Sequence, residues 1–215
     1  MLKGLIVVIG DSLALARPDE GIDYENTYPH LLRKNHLVIN RSKFSGTSED
    51  IYLCPKNADY CIIHLGLVDC FPRLFSDRQK KLLSYLPNQV RRLLIYPFTR
   101  YRYYFTKHFP KVSVDLKDFE NNIEDKILTL KKFGVKPVLI NIMMVSPEVQ
   151  KKNYGAIGNI YDYNDVLSKL AFFHNIPIVD LNSISNWNTK VLHTDGQHLS
   201  ILGHKILANE LEALL

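Results

Sequence analysis

Three residues near the two ends of the chain have the types and order that nucleophilic chemistry needs. Ser12 follows an apolar run in Ile9-Gly10-Asp11-Ser12-Leu13, and Asp195 and His198 share the stretch His193-Thr194-Asp195-Gly196-Gln197-His198-Leu199-Ser200. A serine hydroxyl becomes a nucleophile when a base takes its proton, and a histidine is that base when a carboxylate fixes its tautomer. Three apart around a glycine, Asp195 and His198 can supply both groups from one loop. Singly they read as a turn serine, a loop aspartate and a surface histidine; in the order Ser, Asp, His they predict attack on a carbonyl. His193, His198 and His204 match no common zinc spacing, so neither a metal nor a cofactor is assigned. Asp11 reads as a residue that shapes its loop by accepting backbone amides.

The elements that must position these residues alternate. Leu5 to Ile9 is a short, continuous, β-branched run and reads as a buried strand. Ligands in open α/β sheets bind beyond the carboxyl ends of strands, which is where Ser12 stands. Further strands are predicted at His36 to Asn40, Asp59 to Leu65, Lys136 to Met143 and Ile176 to Leu181. Helices are predicted at Tyr28 to Lys34, after a cap at Thr47 or Ser48, at Leu116 to Phe133 with Ile123, Ile127 and Leu130 on one face, at Asn159 to His174 and from Ile201 to the end. This alternation predicts an α/β fold, a three-layer α/β/α sandwich around a five-stranded parallel sheet. Gly10-x-Ser12-x-Ala14 comes close to a nucleophile elbow, but that elbow follows several strands and Ser12 follows the first.

At 215 residues the chain is predicted to form one domain, 1–215, with 46% hydrophobic and 23% charged residues as in soluble globular proteins. No apolar run approaches the ~18 residues of a membrane span, and the apolar start is too short for a signal peptide. Three cysteines without metal spacing fit a reducing compartment, so a cytoplasmic location is expected.

The net charge of +5 is uneven. Nine Lys and Arg and no Asp or Glu lie between Arg78 and Val114; those nine removed from 27 leave 18 bases against 22 acids. This basic stretch falls in an insertion at about 71–115, punctuated by prolines, with Ser76 to Leu86 and Asn88 to Tyr96 helical, which reads as a lid or side wall over the crevice. Arg100 and Arg102 are its candidate contacts to an anionic substrate. No nucleic-acid-binding motif accompanies it, so nucleic acid is not expected; peripheral contact with a membrane is left open.

The Gly10-Asp11-Ser12 block, together with Asp195-x-x-His198 and the following Gly203-His204, resembles the SGNH, or GDSL-type, hydrolases over nearly the whole chain. The resemblance implies their flavodoxin-like fold and ester hydrolysis with Ser12, Asp195 and His198 as catalytic residues. It further implies that Gly46, in the position of the second block, joins Ser12 in offering a backbone amide to the oxyanion. The third block, Gly-x-Asn-Asp in the family, is Gly66-Leu67-Val68-Asp69 here, so the family's side-chain oxyanion donor is missing. Arg73 is the nearest candidate to replace it. The resemblance suggests removal of a short acyl group, acetyl above all, from an acylated small molecule or glycan. Transfer of the acyl group to a sugar, or a binding protein with little turnover, are the alternatives.

Overall fold

The protein is described by a computed structural model covering residues 3–183 and 190–215. Five parallel strands, β1 (Leu5–Gly10), β2 (Leu37–Asn40), β3 (Tyr60–His64), β4 (Lys136–Ile140) and β5 (Ile178–Val179), form one sheet in the order β2-β1-β3-β4-β5. Helices cover the sheet, so strand residues pointing either way are buried, which is why these strands read as unbroken apolar runs. Ile6, Val7, Val8, Ile62 and Ile140 are all fully buried, each contributing roughly 1.5–3 kcal/mol by leaving water.

The helices are α1 (Tyr28–Leu31), α2 (Leu67–Cys70), α3 (Asp77–Ser84), α4 (Asn88–Arg100), α5 (Arg102–His108), α6 (Leu116–Lys132), α7 (Pro147–Lys152), α8 (Ala156–His174) and α9 (Ile201–Leu214). In α6, Phe119, Ile123, Ile127 and Leu130 form the buried stripe, and Asp115 caps the first turn through the Asp118 amide at 2.9 Å. Among the described residues no helix is long and apolar enough to cross a membrane. The chain runs from β1 to the β2 edge and then back across to β3, so its direction reverses between β1 and β3. That reversal opens a crevice at their carboxyl ends.

Several elements differ from the sequence reading, each for a local reason. No helix follows Thr47 or Ser48: the Asp50 carboxylate takes the Thr47 amide (2.8 Å) and Asp69 takes the Ser48 amide (2.8 Å). Side chains thus satisfy the amides a first helical turn would leave free. β4 stops at Ile140 instead of Met143 because the Asn164 side chain bonds both the amide and the carbonyl of Ile142. β5 shrinks to two residues, with the Leu181 amide held by Asn141 Oδ1 at 2.8 Å. α4 runs through Pro97 instead of ending at Tyr96. The bond that proline cannot make would go to the Leu93 carbonyl, on an exposed turn where water can replace it.

The 71–115 insertion forms three helices, α3 to α5, where two were predicted. Its inner side is closed by rings: Phe98 meets Phe75 at 5.0 Å and Phe105 at 4.6 Å between centroids. Its base is pinned to the body by Arg102, which donates to the Pro72 carbonyl (2.8 Å) and to Asn153, and by Thr106, whose hydroxyl accepts the Tyr154 amide (3.0 Å).

Candidate active site

β1 ends at Gly10, whose Cα pairs with His64 on β3. A Cβ there would lie 2.9 Å from the His64 carbonyl oxygen, so the two strands come together only around a glycine. The chain then turns through a short 3-10 segment, Ser12–Ala14, capped by Asp11, whose Oδ1 accepts the Leu13 amide at 2.8 Å. Asp11 is fully buried, and burial, reinforced by the nearby Asp69 carboxylate, pushes its pKa up to about 7 against the pull of the Leu13 amide. It shapes the loop, as its place in the sequence suggested. Among the described residues the Ser12 amide has no intramolecular acceptor.

The opposite wall is a loop whose neck is closed by an antiparallel bridge between Leu192 and Leu199. Inside it the His193 amide donates to the His198 carbonyl at 2.7 Å, and Gly196 adopts φ +72°. A side chain at 196 would overlap the Ser146 hydroxyl at the start of α7. The glycine thus fixes the separation of Asp195 and His198 on both counts. Ser200 then caps α9 through the Gly203 amide at 3.1 Å.

These two loops bring the three residues together. Ser12 Oγ lies 2.9 Å from His198 Nε2, and His198 Nδ1 lies 2.5 Å from Asp195 Oδ2. The other Asp195 oxygen accepts the amides of Gln197 and His198, each at 3.0 Å. Burial would raise the Asp195 carboxyl, but the His198 imidazole and the two amides outweigh it and hold it well below the usual carboxylate range. The carboxylate therefore stays charged and fixes the proton of the imidazole on Nδ1, leaving Nε2 to accept from the serine.

One member of this arrangement had no signal in the sequence. Arg17 donates from Nη1 to Asp195 Oδ2 at 3.1 Å and from Nη2 to Glu20. It stands at the mouth of a tight loop closed by an antiparallel bridge between Arg17 and Ile22. Glu20, His193 and Asp195 offer ligand atoms within 4.8 Å of one another. Arg17 binds both carboxylates and supplies the positive charge a cation would bring.

A cavity of about 330 Å³ opens over Ser12 and His198, walled by Arg17, Asp19, Glu20, Phe44 and Ser45. A larger one, about 430 Å³, lies between the 48–54 loop and α6 and includes none of the three residues. Of the basic candidates, Arg73, Arg100 and Arg102 all lie outside the lining of the Ser12 cavity. Arg102 is spent on Pro72 and Asn153. Arg73 donates from Nη2 to the Val68 carbonyl at 3.1 Å, which holds the α2 turn. Arg100 is exposed on α4. No residue of 71–115 lines this cavity. The Gly46 amide donates to the Lys43 carbonyl at 3.1 Å, and no helix follows it to concentrate positive charge there.

His204 lies buried on α9, where its Nδ1 accepts the Tyr28 amide at 3.2 Å. The Tyr28 hydroxyl shares a 3.1 Å hydrogen bond with His64. Burial, with neighbouring rings adding to it, pulls His64 down to about 3 and His204 to about 4, so both are neutral core residues.

No family model matches the chain. The isoamyl acetate-hydrolyzing esterase of Saccharomyces cerevisiae is 32% identical over 114 residues, which cover 46% of this chain and 47% of that protein. The match thus spans about half the length of the curated relative. A protein described as lipolytic, of the G-D-S-L family of Desulfitobacterium hafniense, superposes with a TM-score of 0.66 at 18% identity, over 99% of this chain and 100% of that one. An acetyl xylan esterase gives a TM-score of 0.66 at 17% identity over 98% and 99% of the two chains. With its five-stranded parallel sheet and the near-complete superposition on these structures, the chain has the fold of the SGNH, or GDSL-type, hydrolases.

Proposed function

We propose that the protein is a serine ester hydrolase that removes a short acyl group, acetyl first among candidates, from a carbohydrate. The observation that carries this is the unbroken relay from Ser12 Oγ to His198 Nε2 at 2.9 Å and from His198 Nδ1 to Asp195 at 2.5 Å, opening on a cavity. Ser12 attacks the ester carbonyl while His198 takes its proton; the imidazolium is stabilised by Asp195 and then gives the proton to the leaving alcohol. Water repeats the sequence to free the acid. The unengaged Ser12 amide is the first oxyanion donor, and the Gly46 amide serves as second only while shared with the Lys43 carbonyl.

The acyl and alcohol parts rest on weaker support. The yeast relative and the acetyl xylan esterase share an acetyl ester in their names. The cavity rim of Arg17, Asp19, Glu20 and Ser45 suits a hydroxyl-rich alcohol better than an alkyl chain. A second reading, a protein that keeps the fold with little turnover, draws on Val68, which has no donor where the family has an asparagine.

The test has two arms. A fluorophosphonate should label Ser12, and labelling should vanish in Ser12→Ala. Acetylated xylooligosaccharides, simple alkyl acetates and phospholipids should then be compared for released acid, with the sugar esters turned over fastest. Labelling that persists without Ser12 would overturn the serine mechanism; faster release from alkyl acetates would overturn only the carbohydrate part.

A further inference from the structure

We propose that the arm formed by α3 to α5 docks on the surface of an anionic lipid bilayer. The arm reverses the usual placement of apolar residues. α4 buries none of its residues, and Leu82, Tyr85, Leu93 and Tyr96 are 69%, 73%, 77% and 64% exposed. The inward line of α4, Arg91, Ile95 and Phe98, is already closed by the arm's own rings. The opposite line, Gln89, Leu93, Tyr96 and Arg100, falls at helical spacing and faces solvent, with no partner among the described residues to cover it.

Charge decides what covers it. The segment from Arg78 to Val114 holds nine bases and no acid, whereas the rest of the chain is mildly acidic. Leucine, tyrosine and arginine along one exposed line of α4, with further exposed lysines on α3 and α5, match a headgroup region, where rings and aliphatic stems enter the boundary and cations meet lipid phosphates and carboxylates. A nucleic acid would use the cations and rings but leave Leu82, Leu93 and Leu94 against water. A second copy seated on the same patch would set bases against bases with no acid on either side to offset them.

The arm is also placed to make such contact useful. It leaves the sheet after β3, and its base packs on α7, whose first residues touch the Asp195–His198 loop: the Ser146 amide donates to the Gly196 carbonyl at 2.8 Å. Anchoring by Arg102 and Thr106 makes it a fixed platform.

Sedimentation of the full chain with vesicles tests this without requiring turnover, so it stands or falls apart from the hydrolase reading. The chain should pellet with phosphatidylcholine–phosphatidylserine vesicles and bind phosphatidylcholine alone on the order of tenfold more weakly, with binding weakened by added salt. Lys81→Gln with Arg92→Gln, and separately Leu93→Ser with Tyr96→Ser, should each reduce binding by about tenfold. Unchanged circular dichroism and melting temperature in both variants exclude unfolding as the cause. Absence of binding to the mixed vesicles, or binding that survives both variants, would overturn the proposal. So would loss in the charge variant alone together with equally tight binding of single-stranded DNA, which would make the arm a polyanion surface.

Discussion

The crevice between β1 and β3 and the arm of α3 to α5 solve opposite problems. In the crevice, polar groups are withdrawn from water: Asp195 is answered by an imidazole, two amides and Arg17, whereas Asp11 has the Leu13 amide on one oxygen and no hydrogen-bond partner on the other. In the arm, Leu82, Tyr85, Leu93 and Tyr96 face water, with nothing among the described residues packed over them. Withdrawing charges costs several kcal/mol unless they are paired, and exposing leucines forgoes about 1.5–3 kcal/mol apiece. Both costs are incurred where function is proposed, one for chemistry and one for attachment.

The sharpest way to separate the two regions is to remove the nucleophile. Ser12→Ala or His198→Ala should lower kcat/KM on p-nitrophenyl acetate by about 10⁴-fold or more while leaving vesicle binding intact. Equal turnover by Ser12→Ala would end the serine reading.

Next in size is the cost of burying Asp11. Its folded carboxyl keeps its proton up to about pH 7, whereas the unfolded one loses it near the ordinary aspartate value of 3.8. The folded state therefore binds more protons between those values, and stability falls as pH rises across that window. The shift corresponds to as much as ~4 kcal/mol at 1.36 kcal/mol per unit. Asp11→Asn should abolish this fall, so denaturant midpoints of variant and parent should diverge from pH 4 to 7, the variant being the more stable at neutral pH. His64 and His204 act oppositely in both proteins: their folded values, about 3 and 4, lie below 6.5, so stability is lost as pH drops beneath 6.5. Parallel curves for parent and variant would mean Asp11 is ionised in the fold.

A gain is expected at position 68. The Val68 carbonyl is held by Arg73, but its side chain is not engaged in any hydrogen bond, so Val68→Asn restores an amide without disturbing that contact. It should raise kcat on p-nitrophenyl acetate by up to about 10²-fold. No change in a folded variant would place the side chain away from the oxyanion.

The smallest effect concerns Arg17. Its guanidinium draws on the same Asp195 oxygen that holds His198, and so weakens the support that oxygen gives an imidazolium. Arg17→Gln should move the acid limb of kcat/KM upward by about one pH unit; Arg17→Lys should restore most of the original profile. A fall in kcat with an unmoved limb would leave Arg17 a purely structural brace.

The sequence alone located the strands and pointed to the groups proposed to react. Leu5 to Ile9 reads as a buried strand, and Ser12, Asp195 and His198 stand out as candidates because hydroxyl, carboxylate and imidazole occur in the order that nucleophilic catalysis uses. Local periodicity likewise exposed α6 and α9. What it could not contain were the contacts made when distant segments close on one another. Asp50 and Asp69 take the amides that would have begun a helix after Thr47. Arg102 turns inward to Pro72 and Asn153, although its neighbours on the basic stretch face solvent. Arg17, in a polar loop with no periodicity, reaches Asp195 across 178 residues of chain. A motif is written in residue types and spacing, but a long side chain finds its partner in three dimensions, and only the tertiary structure decides which one.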